Sequence, residues 1–337
     1  MRTDDGAGVR ILDQRRLPWA IEWVELRSAD AAAMAIREMW TRGAPLLAMT
    51  GAYGLAMALG QDASDASLAG NYAMLLATRP TAVNLRWALD AVREVVSPLP
   101  LDHRAAAAFA RADAICDEDV ELCRAIGCHG LGVLEALHAK HPARPLNILT
   151  HCNAGWLATG DYGTATAPIY LAHDAGIPVH VWVDETRPRN QGALLTAFEL
   201  AEHGVPHSVI VDNAGGHLMM RGQVDAVIVG TDRVTANGDV CNKIGTYLKA
   251  LAAHDNDVPF YVALPYTTFD PLTATGSDIV IEERDDFEVT HVSGEKGDMR
   301  VTQSAGYNPA FDVTPARLVT GYITERGILS SAALSVA

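Results

Sequence analysis

The stretch NILTHCNAGWLATG, residues 147–160, places the thiol of Cys152 where an apolar run ends and small residues begin. This thiol could be half of a disulfide, a metal ligand or a reactive group. The five cysteines are an odd number in a chain of cytosolic composition, which disfavours a disulfide. Cys116, Cys123 and Cys128 lack the close pair spacing of zinc sites, and Cys152 has no partner at a suitable spacing. The sequence therefore favours a reactive thiol, with Ala154 and Gly155 expected to let a ligand approach the sulfur.

Polar side chains follow four consecutive β-branched runs, each where the predicted strand ends. They are Cys152, Asp184, Asp212 and Asp232. Ligands of an open parallel sheet bind beyond the carboxyl ends of its strands, so we expect these side chains to converge on one edge. A single aspartate at a strand end more often caps the next helix, but four polar ends in succession favour a binding site.

Two segments could bind an anion such as phosphate. In GDVCNKIGTY, Lys243 stands near the expected start of a helix, where backbone N–H groups and its ammonium, with Asn242 beside it, would form a seat. In TRGAP, Arg42 and Gly43 precede a helix of small residues in the same way. A solvated side chain is the commoner fate of a single lysine, so these seats stay hypotheses.

A third polar segment, DETRPRNQG, places Arg187, Arg189 and Gln191 where the chain enters another helix. Pairing of these arginines with Glu185 explains their presence almost as well as a ligand does. The dinucleotide pattern G-x-G-x-x-G follows none of the predicted strands, and a P-loop ending in Gly-Lys-Ser/Thr is absent. We therefore expect neither a dinucleotide cofactor nor nucleotide hydrolysis.

The elements that must position these residues follow from length and pattern. The 337 residues, 49% of them hydrophobic and 20% charged, favour a globular protein of two domains. A net charge of -15 disfavours non-specific binding to nucleic acid or to an anionic membrane surface. The N-terminal stretch lacks the apolar core of a signal peptide, which indicates a cytoplasmic protein. Residues 44–60 are apolar, but their Ala, Gly and Thr content favours a buried helix over a membrane span.

The hydrophobic rhythm changes along the chain. Residues 1–130 begin with two short alternating runs and continue with apolar spacings of three and four, which predicts a mainly helical domain with a small β-sheet. Residues 131–337 alternate β-branched runs with helical stretches, which predicts an α/β, Rossmann-like domain with a parallel sheet. The runs are LNILT, VHVWV, SVIV, DAVIVG, FYVAL and DIVIE.

Seven blocks carry a resemblance to a known family. In chain order they are TRGAP, RPTAVNL, THCNAGWLAT, DETRPRNQG, GTDRVTANGDVCNKIGTY, PFYVALP and NPAFDVTPA. Together, over about residues 10–330, they resemble the methylthioribose-1-phosphate isomerases, whose superfamily includes regulatory subunits of eukaryotic initiation factor 2B. The resemblance implies an aldose–ketose isomerase acting on a pentose 1-phosphate, a homodimer, and neither a metal nor an organic cofactor.

The resemblance also implies roles for individual residues. The catalytic pair of the family falls on Cys152 and Asp232. Its substrate-binding positions fall on Arg42, Gly43, Ala44, Arg79, Gln191, Asn242 and Lys243. A phosphate on the anomeric oxygen keeps the sugar ring closed, so an acid must first protonate the ring oxygen. We hypothesise that Asp232 is this acid and that a Cys152 thiolate takes the C2 proton, with a hydride shift as the alternative.

Three departures from the family pattern affect the substrate. RGAPLLA stands where RGAPAIG is usual, Leu194 replaces an arginine, and DNAGG replaces DNMAA. They leave the isomerase class intact but leave open whether the 5-substituent is methylthio or plain deoxy. The alternatives are a ribose-1,5-bisphosphate isomerase, with Arg187 or Arg189 for the second phosphate, and a non-catalytic regulatory subunit that binds a sugar phosphate or nucleotide. Retention of both Cys152 and Asp232 favours the enzyme.

Overall fold

The computed structural model describes residues 1–80 and 82–335. The chain forms two compact units. The first comprises residues 1–121 and 157–161, and the second comprises the rest. The sequence places the domain boundary after residue 130, whereas the compact units divide after Glu121; both positions lie within one long helix.

The first unit is mainly helical with a two-stranded antiparallel sheet, as predicted. Its strands are β1 (Val9–Leu12) and β2 (Trp23–Leu26). Its helices are α1 (Ala29–Arg37), α2 (Ala44–Gln61), α3 (Asp65–Leu76), α4 (Val83–Val96) and the long α5 (Leu101–His138), which continues into the second unit.

Small residues allow α2 to pack in the centre of the first unit. A Cβ at Gly51 would lie 2.4 Å from Leu85 of α4, and one at Gly54 would lie 2.9 Å from Ala32 of α1. These glycines therefore permit close helix contacts, and the predicted buried helix is confirmed. Among the described residues, no helix combines the length and apolarity that a membrane span needs.

The second unit contains α6 to α11 and β3 to β15. The helices are α6 (Ala167–Asp174), α7 (Ala197–His203), α8 (Ala214–Met220), α9 (Thr246–Asp255), α10 (Phe287–Thr290) and α11 (Ser331–Leu334). The strands are β3 (Leu146–Thr150), β4 (Val179–Asp184), β5 (His207–Ile210), β6 (Ala226–Val229), β7 (Arg233–Thr235), β8 (Val240–Lys243), β9 (Phe260–Ala263), β10 (Phe269–Asp270), β11 (His291–Gly294), β12 (Gly297–Arg300), β13 (Phe311–Thr314), β14 (Gly321–Thr324) and β15 (Gly327–Leu329). A π-helix, Gly192–Thr196, leads into α7.

The main sheet has seven strands in the order β15-β14-β9-β6-β3-β4-β5, and all pairs except β14 with β15 are parallel. A second sheet has the order β10-β7-β8-β13, and β11 with β12 forms a hairpin. The β-branched runs of β3, β4 and β6 are almost wholly buried because helices cover both faces of a parallel sheet. The predicted Rossmann-like architecture is thereby confirmed.

One predicted strand is wrong. The run DIVIE, residues 278–282, forms no strand: a short 3₁₀ helix ends at Asp278 and the following residues are irregular. Val280 is 79% exposed, so this β-branched run has no buried face to place in a sheet. The strand that lies beside β9 is instead β14, whose residues are all buried.

A carboxylate joins β3 and β6 at their amino ends. Arg144 donates to both oxygens of Asp225 at 2.7 and 2.6 Å, and the Asn147 N–H donates to Oδ2 at 2.8 Å. Burial alone would raise the pKa of Asp225, but these hydrogen bonds and the Arg144 charge lower it. Because the folded pKa is the lower one, the stabilisation exists above the unfolded pKa and is lost as pH falls through the folded value.

We expect Asp225→Asn to lower the free energy of unfolding at pH 7 by about 2 kcal/mol, because it removes charge-assisted hydrogen bonds. The difference from the parent chain should shrink as pH is lowered below 4. Urea unfolding at pH 7 and at acidic pH measures it. A difference that stays constant over this range would contradict the assignment of the effect to ionised Asp225.

Candidate active site

The order of the main sheet reverses at β3. The chain continues from β3 to β4 and β5 on one side, and then places β6, β9 and β14 on the other. The crevice for a ligand in such a sheet opens where the order reverses, between β3 and β6, at their carboxyl ends. Cys152 follows the end of β3 and Asp232 follows the end of β6. These two residues therefore follow the pair of strands that flank the switch point.

The backbone at Cys152 is held in an unusual conformation. Its φ is +66°, a left-handed value that a residue with a side chain seldom adopts. Its N–H donates to Thr186 Oγ1 at 2.8 Å, and its carbonyl accepts from Thr196 Oγ1 at 2.7 Å. Thr186 is itself at φ +64°. Two threonine hydroxyls thus fix a strained corner, and the thiol on it is partly exposed.

The buried carboxylate of Glu199 also holds the loop that carries Cys152. Glu199, which is 0% exposed, accepts from Asn153 Nδ2 at 3.0 Å, the Trp156 N–H at 3.1 Å and Tyr170 OH at 3.0 Å. A Cβ on Gly155 would lie 1.6 Å from Glu199 Oε2. Gly155 therefore makes room for this carboxylate, and the expectation that it makes room for a ligand is wrong.

Asp232 lies between β6 and β7, is partly exposed, and donates its N–H to the Cys241 carbonyl at 3.0 Å. The thiol of Cys241 is buried, and burial, followed by the charge of Asp232, raises its pKa to about 12. Cys241 thus remains a protonated thiol at neutral pH.

Comparison with known proteins gives these positions a family context. Residues 40–331 match the model of the initiation factor 2 subunit family. A methylthioribose-1-phosphate isomerase of Methylocella silvestris is 60% identical over 99% of this chain and 94% of its own length. The crystal structure of 5-methylthioribose 1-phosphate isomerase from Pyrococcus horikoshii is 38% identical, with a TM-score of 0.85, over 98% of this chain and 91% of that one. The chain belongs to the methylthioribose-1-phosphate isomerase family.

The wider superfamily is represented as well. A structure described as translation initiation factor eIF-2B, subunit delta, from A. fulgidus is 36% identical, with a TM-score of 0.81. It matches 98% of this chain and 95% of that one. The isomerase family therefore shares its fold with proteins that carry an initiation-factor name.

Four residues that the family resemblance implies in substrate binding lie in the first unit. Gly43, at φ +95°, is the N-cap of α2, and Ala44 is the first residue of that helix. Gly43 has no side chain with which to cap this N-terminus, and Arg42 directly precedes it. A Cβ at Gly43 would lie 2.5 Å from that of Ala158, so only glycine fits there. Arg79 lies in the connection between α3 and α4.

The other three implied residues lie in the second unit, and all are buried. Gln191 immediately precedes the π-helix, and its Oε1 has no hydrogen-bond partner among residues 1–80 and 82–335. Asn242 donates to Thr246 Oγ1 at 3.0 Å. Lys243 Nζ donates to the Ala310 carbonyl at 3.0 Å and lies 4.4 Å from the centre of the Phe311 ring.

Lys243 lies near the start of a helix, as expected, but outside its first turn. It is the last residue of β8, and α9 begins at Thr246. The carboxylate of Asp312 accepts from the N–H groups of Gly245 at 2.7 Å and Tyr247 at 3.2 Å. Burial raises the pKa of Asp312, against the effect of those two N–H groups. An acidic side chain thus already uses the backbone donors that the sequence suggested for phosphate.

Arg187 and Arg189 contact another part of the second unit. The Arg187 guanidinium donates to the carbonyls of Val289 at 2.8 Å and His291 at 3.2 Å. Arg189 pairs with Glu288 at 2.8 Å. The suggested pairing with Glu185 is therefore replaced by contacts with residues 288–291, which the sequence pattern could not indicate.

Asp184 and Asp212 make hydrogen bonds and ion contacts with residues that follow the strand ends. Asp184, which is 0% exposed, contacts His151 Nδ1 at 2.8 Å and Lys249 Nζ at 3.0 Å. Asp212 accepts from the N–H groups of Thr186 and Arg187, both at 2.8 Å. The carboxylates and His151 lie close enough together to be considered as metal ligands, but the Lys249 ammonium already pairs with Asp184.

Sequence reasoning missed His151, Thr186, Thr196, Glu199 and Lys249. The contacts described above join them to residues at least 26 positions away along the chain, so a local pattern contains no signal for these contacts. A signal did exist for two of them. His151 stands inside the THCN block, and Glu199 is a charged residue within the otherwise apolar helical pattern LLTAFEL.

Proposed function

We propose that this chain isomerises 5-methylthioribose 1-phosphate to 5-methylthioribulose 1-phosphate, the aldose–ketose step of methionine salvage. The names of relatives about 60% identical over nearly the full chain support this reaction. Cys152 and Asp232 carry the proposal, because they follow the two neighbouring strands that flank the switch point of the sheet.

In this proposal, Asp232 in its protonated form gives its proton to the ring oxygen, and the bond from that oxygen to C1 breaks. Cys152 as thiolate takes the proton from C2, and C1 and C2 become joined by a double bond. The thiol then returns its proton to C1, while the hydroxyl on C2 loses its proton to Asp232 and becomes the ketone. Both groups end in their starting states, and one acid and one base suffice.

The family resemblance implies which residues make the proposed phosphate and sugar contacts. Arg42 supplies charge beside the N-terminus of α2, where Gly43 and Ala44 offer backbone N–H groups. Arg79 supplies a second guanidinium. Lys243 supplies an ammonium, and the amides of Gln191 and Asn242 bind sugar hydroxyls. The buried, unpartnered Oε1 of Gln191 supports its part, because a hydroxyl donor would satisfy it.

Incubating the purified chain with methylthioribose 1-phosphate, 5-deoxyribose 1-phosphate and ribose 1,5-bisphosphate, followed by NMR, tests the function. We expect ketose from the first, with kcat/KM at least about tenfold higher than for the bisphosphate, which lacks an apolar 5-substituent. Turnover of none of the three would overturn the isomerase proposal in favour of a regulatory, binding-only protein. A preference for the bisphosphate would replace the proposed substrate by the alternative one.

Two further properties belong to the proposal. The family resemblance supports a homodimer and a cytoplasmic location. Light scattering of the purified chain measures the oligomeric state. A monomeric mass at micromolar concentration would contradict the homodimer.

A further inference from the structure

His151 directly precedes Cys152, the proposed base, and its imidazole is buried. The residue is 1% exposed. Its Nδ1 lies 2.8 Å from Asp184 Oδ2, and its Nε2 lies 2.8 Å from the Ile244 carbonyl oxygen. A carbonyl oxygen can only accept a hydrogen bond, so Nε2 carries a proton. An ionised carboxylate can also only accept, so Nδ1 carries a proton as long as Asp184 is charged.

The surroundings keep Asp184 charged. Lys249 Nζ lies 3.0 Å from the same Oδ2, and both residues are at most 3% exposed, where solvent and salt screen an ion pair little. A neutral Asp184 would have to keep the shared proton on Oδ2, the oxygen that also lies beside the Lys249 ammonium, and a positive charge there favours the ionised oxygen. The proton shared by Asp184 and His151 therefore belongs to the imidazole.

Other charged groups around His151 also favour its protonated form. Asp212 Oδ1 lies 3.9 Å from Nδ1, and Asp312 faces the ring from β13. Burial raises the pKa of Asp312, and the hydrogen bonds from the Gly245 and Tyr247 N–H groups counteract that rise. With Asp184 there are three carboxyl groups against one ammonium, so a charged imidazole reduces an excess of negative charge.

Hydrogen bonds connect the charged groups around His151 to the corner at Cys152. Asp212, which faces His151, also accepts from the N–H of Thr186 at 2.8 Å. Thr186 Oγ1 in turn accepts from the Cys152 N–H at 2.8 Å. A cation near a cysteine favours the thiolate over the thiol. His151 directly precedes Cys152 in the chain, on the corner that these hydrogen bonds hold.

We propose that His151 is a buried imidazolium whose fixed charge favours the thiolate of Cys152, which makes it a positioning residue for the base. The inference rests on the proposed function only in giving Cys152 the role of base. The charge state of His151 and its effect on the Cys152 thiol are both measured without any sugar phosphate. A negative result in either measurement is therefore distinguishable from failure of the isomerase proposal.

The charge state is tested on the unaltered chain. In a ¹⁵N-histidine sample, long-range ¹H–¹⁵N NMR separates the neutral tautomers from the imidazolium by the shifts of the two ring nitrogens. Among the twelve histidines, we expect one with both nitrogens protonated at pH 8, where exposed histidines are neutral. Absence of any doubly protonated ring at pH 8 overturns the proposal.

The effect on the thiol is tested with His151→Gln. The rate of alkylation of Cys152 by iodoacetamide is followed by mass spectrometry from pH 5 to pH 10. We expect its midpoint to move to higher pH by about one unit, because an adjacent positive charge is lost. The alkylation of Cys128, exposed on α5, reports any general change in the same sample.

The matched control is His180→Gln. This half-buried histidine lies in β4, and burial, together with the neighbouring His207, lowers its pKa, so it is neutral at pH 7. Its replacement should leave the Cys152 midpoint unchanged. An unchanged midpoint in His151→Gln, or an equal shift in both variants, overturns the role of the His151 charge. Should His151→Gln fail to fold, the NMR measurement on the parent chain decides the question by itself.

Discussion

Replacement of Cys152 by serine is expected to lower kcat/KM for methylthioribose 1-phosphate by at least about a thousandfold. A serine hydroxyl is a far weaker acid than a thiol, so it provides no anion to take the C2 proton at neutral pH. The backbone at Cys152 is held by Thr186 and Thr196 through main-chain atoms, which the substitution leaves in place. Steady-state kinetics by NMR or a coupled assay measures the loss, and circular dichroism checks the fold.

The control for this variant is Cys128→Ser, an exposed cysteine on α5 that should keep the parent rate. Asp232→Asn is the companion variant, because an amide cannot donate the proton that opens the ring, and it should lose a comparable factor. Activity within about tenfold of the parent in either Cys152→Ser or Asp232→Asn would contradict the role assigned to that residue.

Gly155→Ala is expected to lower the free energy of unfolding by at least about 3 kcal/mol. The added methyl group would lie 1.6 Å from Glu199 Oε2, so the buried carboxylate must move away from its donors. Asn153, Trp156 and Tyr170 then lose a shared acceptor inside the core. Urea unfolding at pH 7 measures the change, and activity should fall as well because the same corner carries Cys152.

Gly132→Ala is the matched control. Gly132 lies within α5, and a Cβ there would meet no atom within 4 Å. The same substitution should therefore stabilise the chain, by up to about 1 kcal/mol, through helix propensity. A Gly155→Ala variant as stable as the parent would show that Glu199 does not require this space.

The sequence was most informative where burial acts on a local pattern. The runs LNILT, VHVWV, AVIV and FYVA form β3, β4, β6 and β9, because β-branched residues buried on both faces fit a covered parallel sheet. The run SVIV forms most of the edge strand β5, whose residues are only partly buried or exposed. The run DIVIE has the same composition but no buried neighbours, and Val280 is 79% exposed. Composition predicts that a segment can be a strand, whereas only a partner strand makes it one.

Predictions of individual contacts were less successful for a related reason. The segment around Lys243 has the residue types of a phosphate seat, yet Asp312, distant in sequence, accepts from the helix N-terminus beside it. Gly155 was expected to face a ligand, and it faces Glu199. In both cases the deciding partner lies more than forty residues away, where a local pattern carries no information.

What the sequence determined by itself was the inventory: a thiol and three aspartates at strand ends, a helical first part and a parallel-sheet second part, and blocks typical of an isomerase family. The tertiary structure alone decided the strand order that makes β3 and β6 neighbours, and hence brings the positions after them to one switch point. It also decided that Asp184, Glu199 and Lys249 are buried supports of the corner. Strand order and long-range hydrogen bonds arise from the packing of distant segments, so they exist only once the chain has folded.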